Sequence, residues 1–250
     1  MTVTGVDILI TGYPGVSPSN GGMGWSSVGL VRTGERIVLV DTGPFGARDL
    51  LRRRLAEHGV APDEVTDVVL THCHHDHSVN WTMFPNARVY VSRIEMEWAL
   101  RVPHGEGPVP ELYVRELASS PATTLLEDGD EIVPGIRAEL VPGHTPGSLI
   151  VTVDHEDTRT IFLGDAAKNR AELVCRRADA TLDAPLSRDS IARIWTRWEE
   201  VPNTTVIPGH DLPMGLIEGE CHYQAVRQTS VQARLSADFD DLTTFDLSET

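Results

Sequence analysis

Within Thr71-His72-Cys73-His74-His75-Asp76-His77, four side chains able to bind a transition metal, His72, His74, Asp76 and His77, lie in six residues. Neutral imidazole and carboxylate are ligands for zinc and other first-row metals. In an extended segment alternate side chains share a side, so His72 and His74 can grip one ion together. Asp76 and His77, neighbours just past the turn, can aim at a second. Each half-site then needs a third nitrogen, and a carboxylate shared between them would suit two adjacent cations. Residues of the right types occur later: His144 in Pro142-Gly143-His144-Thr145-Pro146-Gly147, Asp165 in Leu163-Gly164-Asp165-Ala166, and His210 in Ile207-Pro208-Gly209-His210. Such a nitrogen and oxygen set admits two divalent ions; zinc is favoured for hydrolysis, with iron and manganese admissible.

These residues need elements to hold them. Val68-Val69-Leu70 reads as a buried strand feeding the first cluster, and His144, Asp165 and His210 each follow a strand-like run in a Gly-rich turn. Ligands at strand ends take their geometry from the sheet. Further strands are expected over 6–10, 28–41, 88–91, 136–141, 149–153, 159–163 and 204–207. Helical periodicity marks 47–58, 92–101 and 188–200, the last with Ile191, Ile194, Trp195 and Trp198 on one stripe. A closing helix is expected over 218–235, and a flexible, solvated acidic tail from about Asp238. Strands joined as hairpins and interspersed with helices predict an α/β protein: two mixed sheets inside, helices outside, as one unit over 1–250.

Two stretches are candidates for covering the site. Residues 12–27, dense in Gly, Pro and Ser, read as a flap that offers Met23 and Trp25 to a substrate. Residues 103–124, with four prolines, read as an irregular insertion or lid. Lys168 and Asn169, close after Asp165, can hydrogen-bond a substrate carbonyl or carboxylate. Cys73 is expected as a small buried filler, and His75 is expected to pack away from the His72–His74 pair.

Composition narrows the partners. The chain has 250 residues and a formal net charge of −16. That charge repels phosphate backbones, so a small-molecule substrate is expected and nucleic acid is not. No apolar run is long enough to span a bilayer. The first residues lack a basic, signal-like segment, and the three cysteines are odd in number and widely spaced, so a cytoplasmic location with reduced thiols is expected. Exposed apolar residues in the flap are compatible with a homodimer.

The ordered set His72-x-His74-x-Asp76-His77, His144, Asp165 and His210 resembles the metallo-β-lactamase superfamily, and Asp41-Thr42-Gly43 matches an early motif of that family. The resemblance spans about residues 28–211. It implies an αββα sandwich with the metals at one edge of the sheets. It further implies that His72, His74 and His144 hold one metal, that Asp76, His77 and His210 hold the other, and that Asp165 bridges them, with Asp41 orienting the ligands. The implied activity is hydrolysis of an ester, thioester, lactone or amide by a bridging hydroxide, with Asp76 or a bound water protonating the leaving group. Within the superfamily the pattern is closest to glyoxalase II, the acyl-homoserine lactonases and the metallo-β-lactamase domain-containing proteins. The alternatives are a phosphodiesterase or nuclease of the same fold, a true β-lactamase, or an iron-dependent oxidoreductase.

Overall fold

The computed structural model describes residues 3–248, so Glu249, the end of the expected tail, lies outside the described residues. The first half of the chain builds one sheet. Its strands are β1 (Val3–Ile10), then β4 (Val28–Thr33), β5 (Arg36–Val40), β6 (Asp67–Val69), β7 (Arg88–Ser92) and β8 (Thr123–Leu126), hydrogen-bonded in that order. Between the first two, β2 (Val16–Ser17) and β3 (Gly21–Gly22) form a minimal hairpin inside the flap. The second half builds the other sheet from β9 (Glu131–Val133), β10 (Ile136–Leu140), β11 (Leu149–His155), β12 (Thr158–Gly164), β13 (Thr205–Pro208), β14 (Met214–Ile217) and β15 (Glu220–Tyr223). Its spatial order follows the chain order, with β12 and β13 parallel and the other pairs antiparallel.

Alternation along the strands sorts the apolar side chains into three layers. In β5, Val38 and Val40 face the second sheet, whereas Leu39 and Ile37 face the helices of the first half. In β11 and β12, Val151 and Phe162 turn inward, and Ile150, Ile161 and Leu163 turn outward. A period of two therefore makes each strand serve two cores at once. The first outer core is closed by helix α1 (Arg48–Glu57) through Leu51 and Leu55. Helix α3 (Arg93–Ala99) adds Met96, and α4 (Glu111–Ser119) adds Val114 and Leu117. The opposite core lies under α5 (Arg170–Cys175) and α6 (Ala184–Glu200). Helix α6 starts where Asp183 accepts the Leu186 N–H and Pro185 occupies the first turn, a position that tolerates proline. It buries Ile191, Ile194, Trp195 and Trp198, the stripe expected from sequence. Truncating the fully buried Trp198 to alanine would cost about 3–5 kcal/mol. The layer order is αββα, as expected.

Three expectations about elements are corrected. Residues 218–235 form no closing helix: Glu218 and Gly219 both take positive φ, 52° and 80°, which turns β14 back onto β15 as a tight hairpin. Farther on, β16 (Ser230–Ala233) pairs with β17 (Thr243–Asp246). The acidic stretch from Asp238 is exposed as expected, but it leads into that strand instead of trailing free. The 103–124 segment is less irregular than its prolines imply, since α4 docks there through Val114 and Leu117.

Candidate metal centre

Parallel pairing decides where the ligands emerge. Strand β5 runs beside β6, with Val40 opposite Val69, so Asp41 leaves the sheet next to the segment that carries His72 and His74. In the other sheet, parallel β12 and β13 end level, with Gly164 opposite Pro208, and deliver Asp165 and His210 to the same edge. His144 comes from the β10–β11 turn. Past His74, the chain forms one helical turn, α2 (His75–Ser78), which aims Asp76 and His77 inward.

All seven predicted ligands meet there. His74 Nδ1 lies 2.9 Å from His144 Nε2. His77 and His210 bring their Nε2 atoms within 3.4 Å of each other. Asp165 reaches both groups: Oδ1 is 3.1 Å from His77 Nε2 and 3.2 Å from His210 Nε2, while Oδ2 is 3.4 Å from His144 Nε2. Asp76 Oδ2 completes the second group, 3.4 Å from His210 and 3.7 Å from His77. Three overlapping triads result, His72–His74–His144, His72–His77–Asp165 and Asp76–His77–His210, each with donor atoms within 4.8 Å of one another.

In His72, His77, His144 and His210 the outward ring nitrogen is tied so that the inward one can offer a lone pair. His144 Nδ1 donates to the Ala180 carbonyl at 3.1 Å and His210 Nδ1 to the Trp25 carbonyl at 3.0 Å. His77 Nδ1 donates to Asp41 Oδ2 at 2.8 Å. The Thr71 hydroxyl donates to the same carboxylate at 2.8 Å and is left to accept from His72 Nδ1 at 3.2 Å. Such partners fix the tautomer of a metal-binding imidazole. His72 Nε2, facing the cluster, is buried and has no hydrogen-bond partner among the described residues. A buried polar atom of that kind calls for a ligand, so the donor set fits a metal ion.

Charge on the cluster tells the same story. Burial holds His72 well below the usual imidazole value, lowers His74 to about 2 and His144 to about 4, and so keeps all three neutral. Burial also opposes charge on His77 and His210, but Asp165 and Asp76 outweigh it and raise both. Burial would raise Asp165, yet the surrounding His210, His77 and His144 hold it well below the carboxylate range. The carboxylates thus demand positive charge at this point, and a divalent cation supplies it as a proton does.

Two cavities flank the cluster. One, about 300 Å³, lies between the flap and α5 and is reached by Asp76, His210, Lys168 and Asn169. The other, about 490 Å³, lies on the His74–His144 side against Trp98, Val102, Val109 and Leu182. Glu106, Gly107 and Pro108 of the 103–124 segment line this second cavity.

The remaining candidate residues sort as follows. Met23 is half exposed and Trp25 stacks on Tyr13, and neither lines a flanking cavity; the flap contributes Pro14, Gly15, Val16, Gly22 and Gly24 instead. Lys168 lines the first cavity, but its ammonium donates to the Asp179 carbonyl at 2.6 Å and pairs with Glu172. Asn169 caps α5 by accepting the Glu172 N–H. Cys73 is fully buried, as expected. His75 does not pack: it is exposed at the mouth of the first cavity, because the helical turn after His74 replaces strand alternation. Sequence reading passed over Thr71, which relays Asp41 to His72, and Ala180, whose carbonyl orients His144. Only the position of Thr71 directly before the cluster hinted at its role.

The family model described as "Metallo-beta-lactamase superfamily" matches residues 22–210. The chain belongs to the metallo-beta-lactamase superfamily. Among its members, metallo-beta-lactamase domain-containing protein 1 of Xenopus laevis is 30% identical over 227 residues, 89% of this chain and 85% of that protein. An N-acyl homoserine lactonase of Bacillus thuringiensis is 28% identical over 138 residues, 54% of this chain and about half (52%) of the lactonase. A solved structure of a mutant of B. thuringiensis AiiA, with N-decanoyl-L-homoserine bound at its active site, superposes with a TM-score of 0.69 at 24% identity. That match covers 84% of this chain and 94% of the other. Membership in the metallo-beta-lactamase superfamily and the lactonase relatives identify a metal-dependent hydrolase. No described helix is long and apolar enough to cross a membrane.

Proposed function

We propose that the protein hydrolyses a carbonyl bond, an ester, thioester, lactone or amide, of a small molecule at a two-metal centre. In this reading His72, His74 and His144 would hold one ion and Asp76, His77 and His210 the other, with Asp165 offering an oxygen to each half. The supporting observation is the split reach of Asp165, one oxygen toward His144 and the other toward His77 and His210. Two ions so placed would lower the pKa of a water towards neutrality and polarise the substrate carbonyl; zinc is the favoured metal. Asp76 faces both the His77–His210 pair and the first cavity, which supports it as the group that would carry a proton to the leaving group. The walls exclude bulk water on the far side, because every ligand but Asp76 is buried.

The surroundings favour a carbonyl over a phosphodiester. Among the described residues, Lys168 is the one lysine or arginine lining the first cavity; it is engaged by Glu172 and the Asp179 carbonyl, and Asp76, Glu172 and Asp179 make that wall acidic. The second cavity is lined mainly by apolar side chains.

The test is a hydrolysis panel of lactones, thioesters, esters, β-lactams and phosphodiesters on protein whose metal content is measured. Turnover of a carbonyl substrate with about two ions per chain is expected. One iron per chain with oxygen uptake, or cleavage of phosphodiesters alone, would sink the proposal.

A further inference from the structure

One fully buried carboxylate has no part in that chemistry. Glu95, in α3, is completely enclosed. A charge removed from water is costly unless it is well bonded, so its partners matter. Ser92-x-x-Glu95 has the spacing of a capping box, in which the glutamate would fold back onto the start of its own helix. Ser92 does its half, accepting the Glu95 N–H at 3.0 Å. The Glu95 carboxylate goes elsewhere. Its Oε1 accepts the Cys73 N–H at 2.9 Å, and its Oε2 accepts the Gly147 N–H at 3.1 Å. Ser92 Oγ in turn donates to the Gly147 carbonyl at 2.7 Å, so the pair grips Gly147 on both sides.

The two gripped peptides belong to opposite sheets. Cys73 stands between His72 and His74, after a strand of the first sheet. Gly147 lies in the β10–β11 turn of the second, three residues past His144. These segments carry the His72–His74–His144 triad. The three donor atoms can face one ion only if the two segments keep a fixed separation, and Glu95 spans that gap with one rigid group.

We propose that Glu95 is a positioning residue for the His72–His74–His144 half of the centre, setting the spacing of its two loops and hence that half-site's affinity for a divalent ion. The proposal rests on the two-metal reading, and the experiment separates the two.

The 250-residue chain is stripped of metal and titrated with cobalt(II), followed by its visible absorption and by bound-metal stoichiometry. Wild type is expected to take two ions. Glu95→Gln keeps the volume but turns an amide N–H₂ toward one of the two backbone N–H groups. It is expected to weaken one ion about 10–100-fold, the range for groups that orient ligands, and to leave the other within about threefold. In a His210→Ala background the remaining ion is expected to be sensitive to Glu95→Gln; in a His144→Ala background it is not. Met96→Leu, buried in the same helix, is expected to change neither ion and controls for repacking. Ser92→Ala supplies a milder variant should Glu95→Gln not fold, with a smaller loss expected at the same half-site. Equal weakening of both ions, or no weakening in folded Glu95→Gln or Ser92→Ala protein, overturns the role of Glu95. A wild type that binds a single ion overturns the two-metal reading instead.

Discussion

Asp41→Asn is the sharpest perturbation of the ligand geometry. Asp41 is buried, and its carboxylate serves three donors at 2.8 Å: Thr71 N–H on Oδ1, and the Thr71 hydroxyl and His77 Nδ1 on Oδ2. Through Thr71 it also governs His72. An asparagine that keeps its oxygen on the Thr71 N–H must place its amide nitrogen where Oδ2 was. A donor then faces His77 Nδ1 and the Thr71 hydroxyl, and both imidazoles are driven to carry their proton on the nitrogen that faces the centre. The backbone is not the confounder, since Asp41 sits at φ 60° and asparagine accepts that region nearly as well as any residue with a side chain. Losing a hydrogen bond to a charged group costs about 1.5–3 kcal/mol, which is about 10–150-fold in a dissociation constant. Because His72 and His77 are assigned to different ions in the proposed two-metal reading, both ions are expected to weaken, each by about 10–100-fold. Competition with a chromophoric chelator measures this directly, with circular dichroism to verify the fold. Unchanged affinity for both ions in folded protein would refute the claim that Asp41 sets the two tautomers.

Other expectations follow from the same geometry. Asp165→Asn should leave the chain folded but lower turnover at least about a hundredfold, measured at saturating metal; retained turnover would remove the bridge from the mechanism. Gly209→Ala would drive a methyl carbon into Asp165 Oδ1 and place it 2.7 Å from the Gly164 carbonyl. Relieving that overlap should cost about 1–3 kcal/mol, seen as a lower melting temperature together with lost metal. Proton release should differ between the ions. His74 and His144 are depressed to about 2 and about 4 and are already neutral at pH 6, so filling their site releases few protons. His77 and His210 are raised above the usual 6.5, so a proton competes for them, and the affinity of that site should fall as pH drops through neutrality. Calorimetry in buffers of different ionisation enthalpy checks this; equal release at both sites would contradict it.

The seven candidate ligands that the structure brings together were legible because each sits where a strand meets a turn, and a strand end leaves its mark on a single stretch of sequence. The layering of two sheets between helices was legible from hairpin-linked strands interspersed with helical stretches and from the family resemblance, whereas the uniformly apolar Ile37-Val38-Leu39-Val40 does not itself tell which side chains face which core. What failed depended on local backbone handedness or on distant contacts. The paired positive φ of Glu218 and Gly219 makes a hairpin out of a segment whose composition suited a helix. Helix α4 was hidden by Pro108 and Pro110, which precede it instead of interrupting it. His75 was misplaced because alternation was carried one residue past the point where α2 begins. Ala180 and Glu95 act through contacts that link segments 22 or more residues apart, and no local pattern records them.

Among the described residues the two sheets exchange no strands: the first is complete by Leu126 and the second begins at Glu131. Since His72, His74, Asp76 and His77 come from the first and His144, Asp165 and His210 from the second, neither half can close a site alone. During synthesis the first four candidate ligands are made well before Asp165, and in the proposed reading they would gain their full affinity only when the second sheet docks. An ion held as proposed would act as a rivet across the join, resisting separation of the halves. Its removal should speed hydrogen exchange first along the β6 and β12 ends, where the halves meet at the centre.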